Sequence, residues 1–412
     1  MYRQILHSDL NSFYASVEVM LNPSLRGKSV AVCGSTEDRH GIVLAKSELA
    51  KKAGVKTGMV TWEARRLCPD LIIVPPHYEQ YLKYSKLTRN IYQRYTDQVE
   101  PFGMDEVWGD VTASKGLFGS GYDIAERLRK EIREELGMTV SIGVSFNKIF
   151  AKLGSDMRKP DAVTVITQNN FKEKVWHLPC SELLYCGRAT TAKLAKYNIK
   201  TIGDIATTDP KFLQRRLGVN GLALWQYASG LDDSRVMHKD FASPIKSIGH
   251  GITCVADLSN GEEVWRVMLE LSQDIGHRLR VHHLAAMGVQ ITIRDCGLLF
   301  KQYQGQFGTT TQSPMEIASK ARELFDANYP WSQQVRAVTV RAINLVDAAT
   351  PQQASFYVDQ ITQIRKEKLD DTVDEIRRRF GKNAIRNASL LSDLKMPGIS
   401  AHEVVMPGNM YR

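Results

Sequence analysis

Along the first 166 residues, short apolar runs alternate with stretches of helical period. Ile5-Leu6 predicts the start of a buried strand, and Val30-Ala31-Val32 and Leu71-Ile72-Ile73-Val74 predict two more. Residues 9–21, DLNSFYASVEVML, predict a helix with an apolar stripe at Phe13, Val17, Met20 and Leu21. Tyr78 to Tyr95 reads as a polar, tyrosine-rich helix, followed by a loop at Phe102–Glu106 and a short, partly apolar stretch at Val107–Val111. Val140, Ile142 and Val144 alternate with Ser141, Gly143 and Ser145, the two-residue period of a strand, and a helix is expected to start near Asn147. Such a mixture predicts an α/β or α+β fold.

The pattern changes after residue 166. Residues 167–235 predict short helices punctuated by glycine and dominated by Lys and Arg, and the polar, aperiodic segment from Asp232 to Ser243 predicts a linker that ends at Pro244. Beyond it, Val289, Ile291 and Ile293 alternate with Gln290, Thr292 and Arg294, and Val335–Leu345 is again strand-like. Helical stretches at 262–283 and 314–328 lie between these strands, so a second small α/β domain is expected. Ser355 to Arg379 predicts a charged amphipathic helix, and only the final MPGNMYR is expected to fray.

The chain has 412 residues, enough for two to four domains. No apolar run approaches the roughly 20 residues of a membrane helix, and MYRQILHSDL lacks the apolar stretch of a signal peptide, so a cytoplasmic protein is expected. Six scattered cysteines without a CxxC pair predict reduced thiols rather than zinc ligands or disulfides. A net charge of +9 fits a nucleic-acid partner. From Pro244 to Ala348, however, ten basic residues meet ten acidic ones, so DNA binding there requires the charges to be sorted onto one face.

Phosphoryl transfer to a nucleotide needs carboxylates that hold cations at the reacting phosphate. Asp9, after the first strand and at a helix start, and the pair Asp105-Glu106, between PFGM and VW, supply such groups. Taken singly, Asp9 reads as a helix N-cap and the pair as solvated charge. Consecutive strand residues also face opposite ways, so both acids serve one centre only at a bend.

Order and spacing add more. HSDLNSFYASVEVMLNPSLRGKSVAV resembles the opening motif of Y-family DNA polymerases of the DinB/UmuC type. FGMDEVWGDVT resembles their second acidic motif, and SIGVSFNKIFAKLGSDMRKPDAVTVI is similar to a third, of the form GxSxNKxxAKxxSxxxKPxG. The resemblance implies an α+β right-hand polymerase. Its palm would be residues 1–25 and 78–166, its small fingers 26–77 and its helical thumb 167–235. A linker at 236–243 would lead to a separate α/β little finger at 244–348 and a helical tail at 349–412.

The same resemblance makes Asp9, Asp105 and Glu106, with the Leu10 carbonyl, the ligands of two Mg²⁺ ions, with Mn²⁺ as an alternative. Tyr14 takes the steric-gate position that excludes a ribose 2′-hydroxyl, beside Phe13, and Lys159 meets the incoming triphosphate. Lys148 and Lys152 share a helix face and are candidates to support this end of the site. LLYCGRATTAKLAKYNIKTIGDIA is a helix-hairpin-helix candidate centred on Gly187. Lys246, Ser247 and Gly249 match a backbone-contacting motif, and Arg294, Arg336 and Arg341 are candidate phosphate contacts. The implied partners are primer-template DNA and a dNTP, with a sliding clamp as a further candidate although no clean clamp peptide is present. The expected state is a monomer with no membrane contact.

Three departures stand out. The family's Tyr-Glu-Ala-Arg run is replaced by SELAKKAG, which puts Glu48 in the place of the tyrosine and Lys51 in that of the arginine. Lys51 keeps the charge and loses the bidentate fork, so Lys46 and Lys52 are candidates to share the work, and Glu48 is expected to point away or pair with a lysine. Ala189 replaces the usual second glycine of the hairpin, and Gly109 stands where a large apolar residue is usual. Two competitors are a non-catalytic DNA-binding scaffold, which the three retained acids disfavour, and a nucleotide cyclase, which would not need the thumb-like and little-finger-like regions.

Overall fold

The computed structural model describes residues 3–39, 41–351 and 360–397. They fall into two compact units, one comprising residues up to 34 and 42–243, the other residues from 244 onward with the short segment 35–41.

The first unit is built on a five-stranded sheet in the order Val99–Pro101, Glu106–Asp110, Ile5–Leu10, Val140–Ser145, Val163–Val165. All neighbours are antiparallel except the last pair. Of the three inner strands, Ile5–Leu10 and Val140–Ser145 are buried along their whole length. The alternation of the second does not mark one solvated face, because helices cover both. Val140, Ile142 and Val144 share a core with Leu6, Leu10, Phe13 and Val17 and with Ile124, Leu128 and Ile132 of the helix Gly121–Leu136. The opposite face carries Gly143, where an added Cβ would lie 1.9 Å from the carbonyl oxygen of Ala151. Only glycine lets the helix Lys148–Met157, capped by Asn147, lie this close to the sheet.

One boundary differs from the expected pattern. Asp9 does not begin a helix: the strand continues to Leu10 and the helix is Phe13–Leu21. The chain turns at Ser12, whose φ of 50° is left-handed.

A smaller sheet, in the order Val43–Lys46, Val30–Cys33, Ile72–Val74, packs with the short helices Glu48–Lys52 and Thr61–Leu67. Residues 171–228 form five short helices around Leu194, Ile202, Ile205, Leu213 and Leu224. Residues 231–243 carry no helix or strand. They are no free tether, since Val236 is buried with Ile5, Trp108 and Ala151, and the Met237 backbone N–H donates to Glu100.

The second unit is an antiparallel sheet in the order Phe300–Thr311, Leu284–Asp295, Val335–Asp347, Ser247–Leu258. Its first and last strands had no clear sequence signal. The helices Gly261–Val281 and Pro314–Asn328 cover one face, burying Val267, Leu271, Ile317 and Phe325 against Val289, Ile291, Val338 and Val340. The tail helix is Gln360–Phe380; residues 355–359 of the expected helix lie outside the described residues, as does MPGNMYR. The tail helix docks on this unit, with Asp374 accepting from Arg280 at 2.7 Å and Arg377 donating to Gln273 at 3.1 Å. All six cysteines are free, and no described helix is long and apolar enough to cross a membrane.

Candidate active site

Strand register assembles the three acids. Asp9 pairs across the ladder with Glu106, and the Leu10 N–H donates to the Asp105 carbonyl at 3.1 Å. Paired residues of neighbouring strands project to the same face, so Asp9 and Glu106 stand side by side. Asp105 occupies the bend just before the strand Glu106–Asp110, which answers the geometric objection to consecutive acids serving one centre. Asn11 braces the end of the inner strand, donating to Ser141 at 2.9 Å and accepting the Asp161 backbone N–H at 2.9 Å.

The helix Lys148–Met157 and the residues after it bring cations to this edge. Lys159 Nζ lies 2.7 Å from Asp9 and 2.8 Å from Asp156. Lys152 Nζ lies 2.9 Å from both Glu106 oxygens. Lys148 belongs to a different contact, 2.8 Å from Glu100 with its ammonium 4.4 Å from the Trp108 ring. Beneath Glu106, His7 is fully buried, with Nδ1 2.8 Å from Ser155 Oγ and Nε2 3.6 Å from Glu106. His7, Ser155 and the Lys152–Glu106 pairing were not foreseen as a network, although His7 shares the face of Asp9 by its two-residue spacing.

Burial raises Asp9, despite the opposing Lys159 charge, and it raises Asp105 to about 6 with help from the neighbouring Glu106 charge. Burial pushes Glu106 upward too, but His7 and Lys152 outweigh it and hold this carboxyl below its ordinary value. Burial likewise works against the Lys159 ammonium, and Asp9 and Asp156 more than offset it. Burial lowers His7 to about 4. The edge therefore carries more carboxylate than its surroundings comfortably solvate, an arrangement that favours hard cations. Among the described residues no three acid or imidazole groups converge on one point as a ready-made ion cage. Asp9 and Glu106 are instead drawn onto separate lysines.

Tyr14 stacks on Tyr81, ring centroids 4.1 Å apart and 7° from parallel, with Phe13 and Tyr78 flanking the pair. Tyr81 is itself fixed by a hydrogen bond to the buried Glu18. The Phe13 side chain, a candidate nucleotide contact, is buried in the core. Glu48, standing in for the family's tyrosine, accepts from Ser12 Oγ at 2.9 Å and lies 3.9 Å from Lys51. Lys46 donates to Thr57 at 2.9 Å, and both Lys51 and Lys52 are exposed. Gly109 has no steric requirement for glycine, since an added Cβ would meet Thr96 at 3.8 Å.

Residues 8–156 match the model of the impB/mucB/samB family, and residues 245–356 match that family's C-terminal domain. A DNA polymerase IV from Acetivibrio thermocellus is 51% identical over 393 residues, spanning 95% of this chain and 98% of that protein. One from Moorella thermoacetica is 38% identical, over 94% of this chain and 96% of its own length. The chain belongs to the DinB-type Y family of DNA polymerases. The solved structure of a Y-family DNA polymerase chimera shares the fold, with a TM-score of 0.75 at 24% identity over 83% of this chain and 99% of that one.

The polymerase is a DNA-directed enzyme that uses divalent metal ions. Its expected DNA contacts fall in two places. Gly187 caps the helix Arg188–Ala195 with open space around it. In the second unit, Ser247, Gly249, Arg294 and Arg341 lie on the sheet face opposite the two helices, and Lys246 is exposed just before it. An added Cβ at Gly249 would come 3.1 Å from the Arg341 side chain across the ladder. Arg336 differs: it is held by Asp257 through two hydrogen bonds of 3.1 Å. Asp274, Glu263 and Asp326 belong to the helical layer that covers the other face.

Proposed function

We propose that Asp9, Asp105 and Glu106, with the Leu10 carbonyl, hold two Mg²⁺ ions, or Mn²⁺ in their place, at the primer end. The donor set fits: hard oxygens, desolvated on one sheet edge, two of them raised by burial. When bound, such a cation pair neutralises the triphosphate and eases deprotonation of the primer 3′-hydroxyl. The chain's own residues then bind and orient. Lys159 leaves Asp9 for a triphosphate oxygen, a move that exchanges one anion for another at the same ammonium. Lys51, with Lys46 nearby, adds positive charge from the fingers. The Tyr14 ring, immobilised against Tyr81, closes the space beside the sugar C2′ so that a deoxyribose fits and a ribose clashes. The single observation that supports this reading most strongly is the pairing of Asp9 with Glu106 beside the Leu10–Asp105 backbone bond.

The palm is assigned to residues 1–25 and 78–166, the fingers to 26–77, the thumb to 167–235 and the little finger to 244–348. In this reading the thumb, through the helix that begins after Gly187, and the little finger, through Lys246, Ser247, Gly249, Arg294 and Arg341, grip the DNA backbone. The polymerase works as a cytoplasmic monomer in translesion synthesis, at low fidelity, with a sliding clamp as a further partner. Primer extension on an undamaged template and across an abasic site tests it. The wild type should extend both, whereas Asp105→Asn and Glu106→Gln should lose extension while keeping DNA affinity. Full extension by either variant would refute the ligand assignment, and no extension by the wild type would leave the scaffold reading.

A further inference from the structure

The buried face of the inner strand holds a polar group that the polymerase chemistry described above does not use. His7 and Asp9 share that face, and their cross-strand partners there are Trp108 and Glu106. On the other side of His7, Gly143 lies opposite it in the ladder and admits the helix Lys148–Met157. The imidazole is therefore enclosed by Trp108, whose ring meets it edge-on at 5.1 Å, and by Ser155 of that helix. Its Nδ1 is 2.8 Å from Ser155 Oγ, while its Nε2, aimed at Glu106 Oε2 from 3.6 Å, is buried without a hydrogen bond inside 3.5 Å.

We propose that His7 is a positioning residue that holds the Glu106 carboxylate from below, so that its other lone pairs stay turned toward the cation. An ionised carboxylate only accepts, so the nitrogen facing Glu106 must carry the proton for the contact to be attractive. Nδ1 is then the lone-pair nitrogen and takes the Ser155 hydroxyl proton. The opposite tautomer would aim a lone pair at a carboxylate. Ser155 Oγ also donates to the Lys152 carbonyl at 2.7 Å, so its one proton is shared between that carbonyl and His7. Donation to His7 selects the Nε2–H tautomer, because the hydrogen bond at one ring nitrogen decides the state of the other. The chain Ser155 to His7 to Glu106 then fixes the carboxylate from inside the protein while Lys152 is free to leave it. This is the arrangement by which outer groups orient a ligating side chain.

The inference rests on Glu106 holding a cation, and the test separates the two claims. A glutamine amide at position 7 places its N–H₂ where Nε2 is and reaches Glu106; an asparagine amide places it where Nδ1 is and reaches only Ser155. Mn²⁺ affinity, read by paramagnetic resonance in a complex with dideoxy-terminated primer-template and dNTP, is compared with single-turnover extension for H7Q, H7N and S155A. H7Q should keep Mn²⁺ affinity within about threefold, and H7N should lose roughly tenfold in affinity and in kcat, with little change in dNTP KM. S155A, which preserves the packing, should fall between them. Equal behaviour of H7Q and H7N, or a loss in H7N that follows its unfolding temperature, overturns the role of His7. If E106Q leaves Mn²⁺ binding and extension intact, the ligand assignment of Glu106 fails instead.

Discussion

The ammonium of Lys159 rests 2.7 Å from Asp9, a residue 150 positions earlier in the chain, and bridges it to Asp156. A cation already sits against the acid that the metal ions would use, so the same lysine is placed to follow the negative charge when a triphosphate arrives. Lys159→Ala should raise the dNTP KM by about tenfold, the loss of one charge-assisted contact, while primer-template affinity stays level. Lys159→Arg should recover part of the loss. Steady-state KM values for one dNTP check this; an unchanged KM for the alanine variant would remove Lys159 from the triphosphate site.

Proton uptake should follow from Asp105. Its carboxyl is raised from an ordinary 3.8 to about 6, first by burial and then by the Glu106 charge. Between those values the folded chain binds more protons than the unfolded one, so this group's contribution to stability falls as pH rises from about 4 through 6. A cation that binds only the carboxylate must displace the proton. Mg²⁺ titration calorimetry in two buffers of different ionisation heat should show net proton release near pH 6 that disappears by pH 8. Asp105→Asn should reduce that release, the remainder coming from Asp9, which burial also raises, and release undiminished in the variant would contradict the assignment.

Much of this site could be read in the chain before folding, and the reasons for the gaps are local. The three acids stood out because each lies at a break between apolar runs, and Pro314–Asn328 was legible because an amphipathic period ends at recognisable punctuation. Asp9 was misplaced at a helix start because nothing in DLNS says that the strand continues to Leu10 before Ser12 turns it. The strand Phe300–Thr311 was missed because its exposed edge position leaves it polar on most residues, without alternation to detect. His7 and Ser155, 148 residues apart, meet only because Gly143 lets a helix approach. Pairings of that kind follow from packing geometry, which periodicity does not encode.

Sugar selection should depend on the stack as well as on Tyr14. Tyr14→Ala should raise ribonucleotide incorporation by roughly one to two orders of magnitude. Tyr81→Leu, which removes the ring stacked at 4.1 Å, should raise it by a smaller factor with Tyr14 intact. The ratio of dNTP to rNTP kcat/KM measures both, and unchanged discrimination in Tyr14→Ala would take the gate away from that residue.

Glu48 places a negative charge 3.9 Å from Lys51 and ties itself to Ser12. Glu48→Gln retains an acceptor for Ser12 and removes the charge that competes with a triphosphate for Lys51. The dNTP KM should drop about two- to threefold, the size expected of an exposed ion pair, with kcat unchanged. A rise in KM would mean that Glu48 itself assists nucleotide binding.

The central claim is that Asp9 and Glu106 leave their lysines and, together with Asp105, gather cations at a primer end. Anomalous diffraction from Mn²⁺ in crystals of the complex with dideoxy-terminated primer-template and dNTP reads this directly. The account predicts two peaks contacted by these three carboxylates, with Lys159 moved from Asp9 to the triphosphate. Peaks elsewhere, with Lys159 still seated on Asp9, would contradict it.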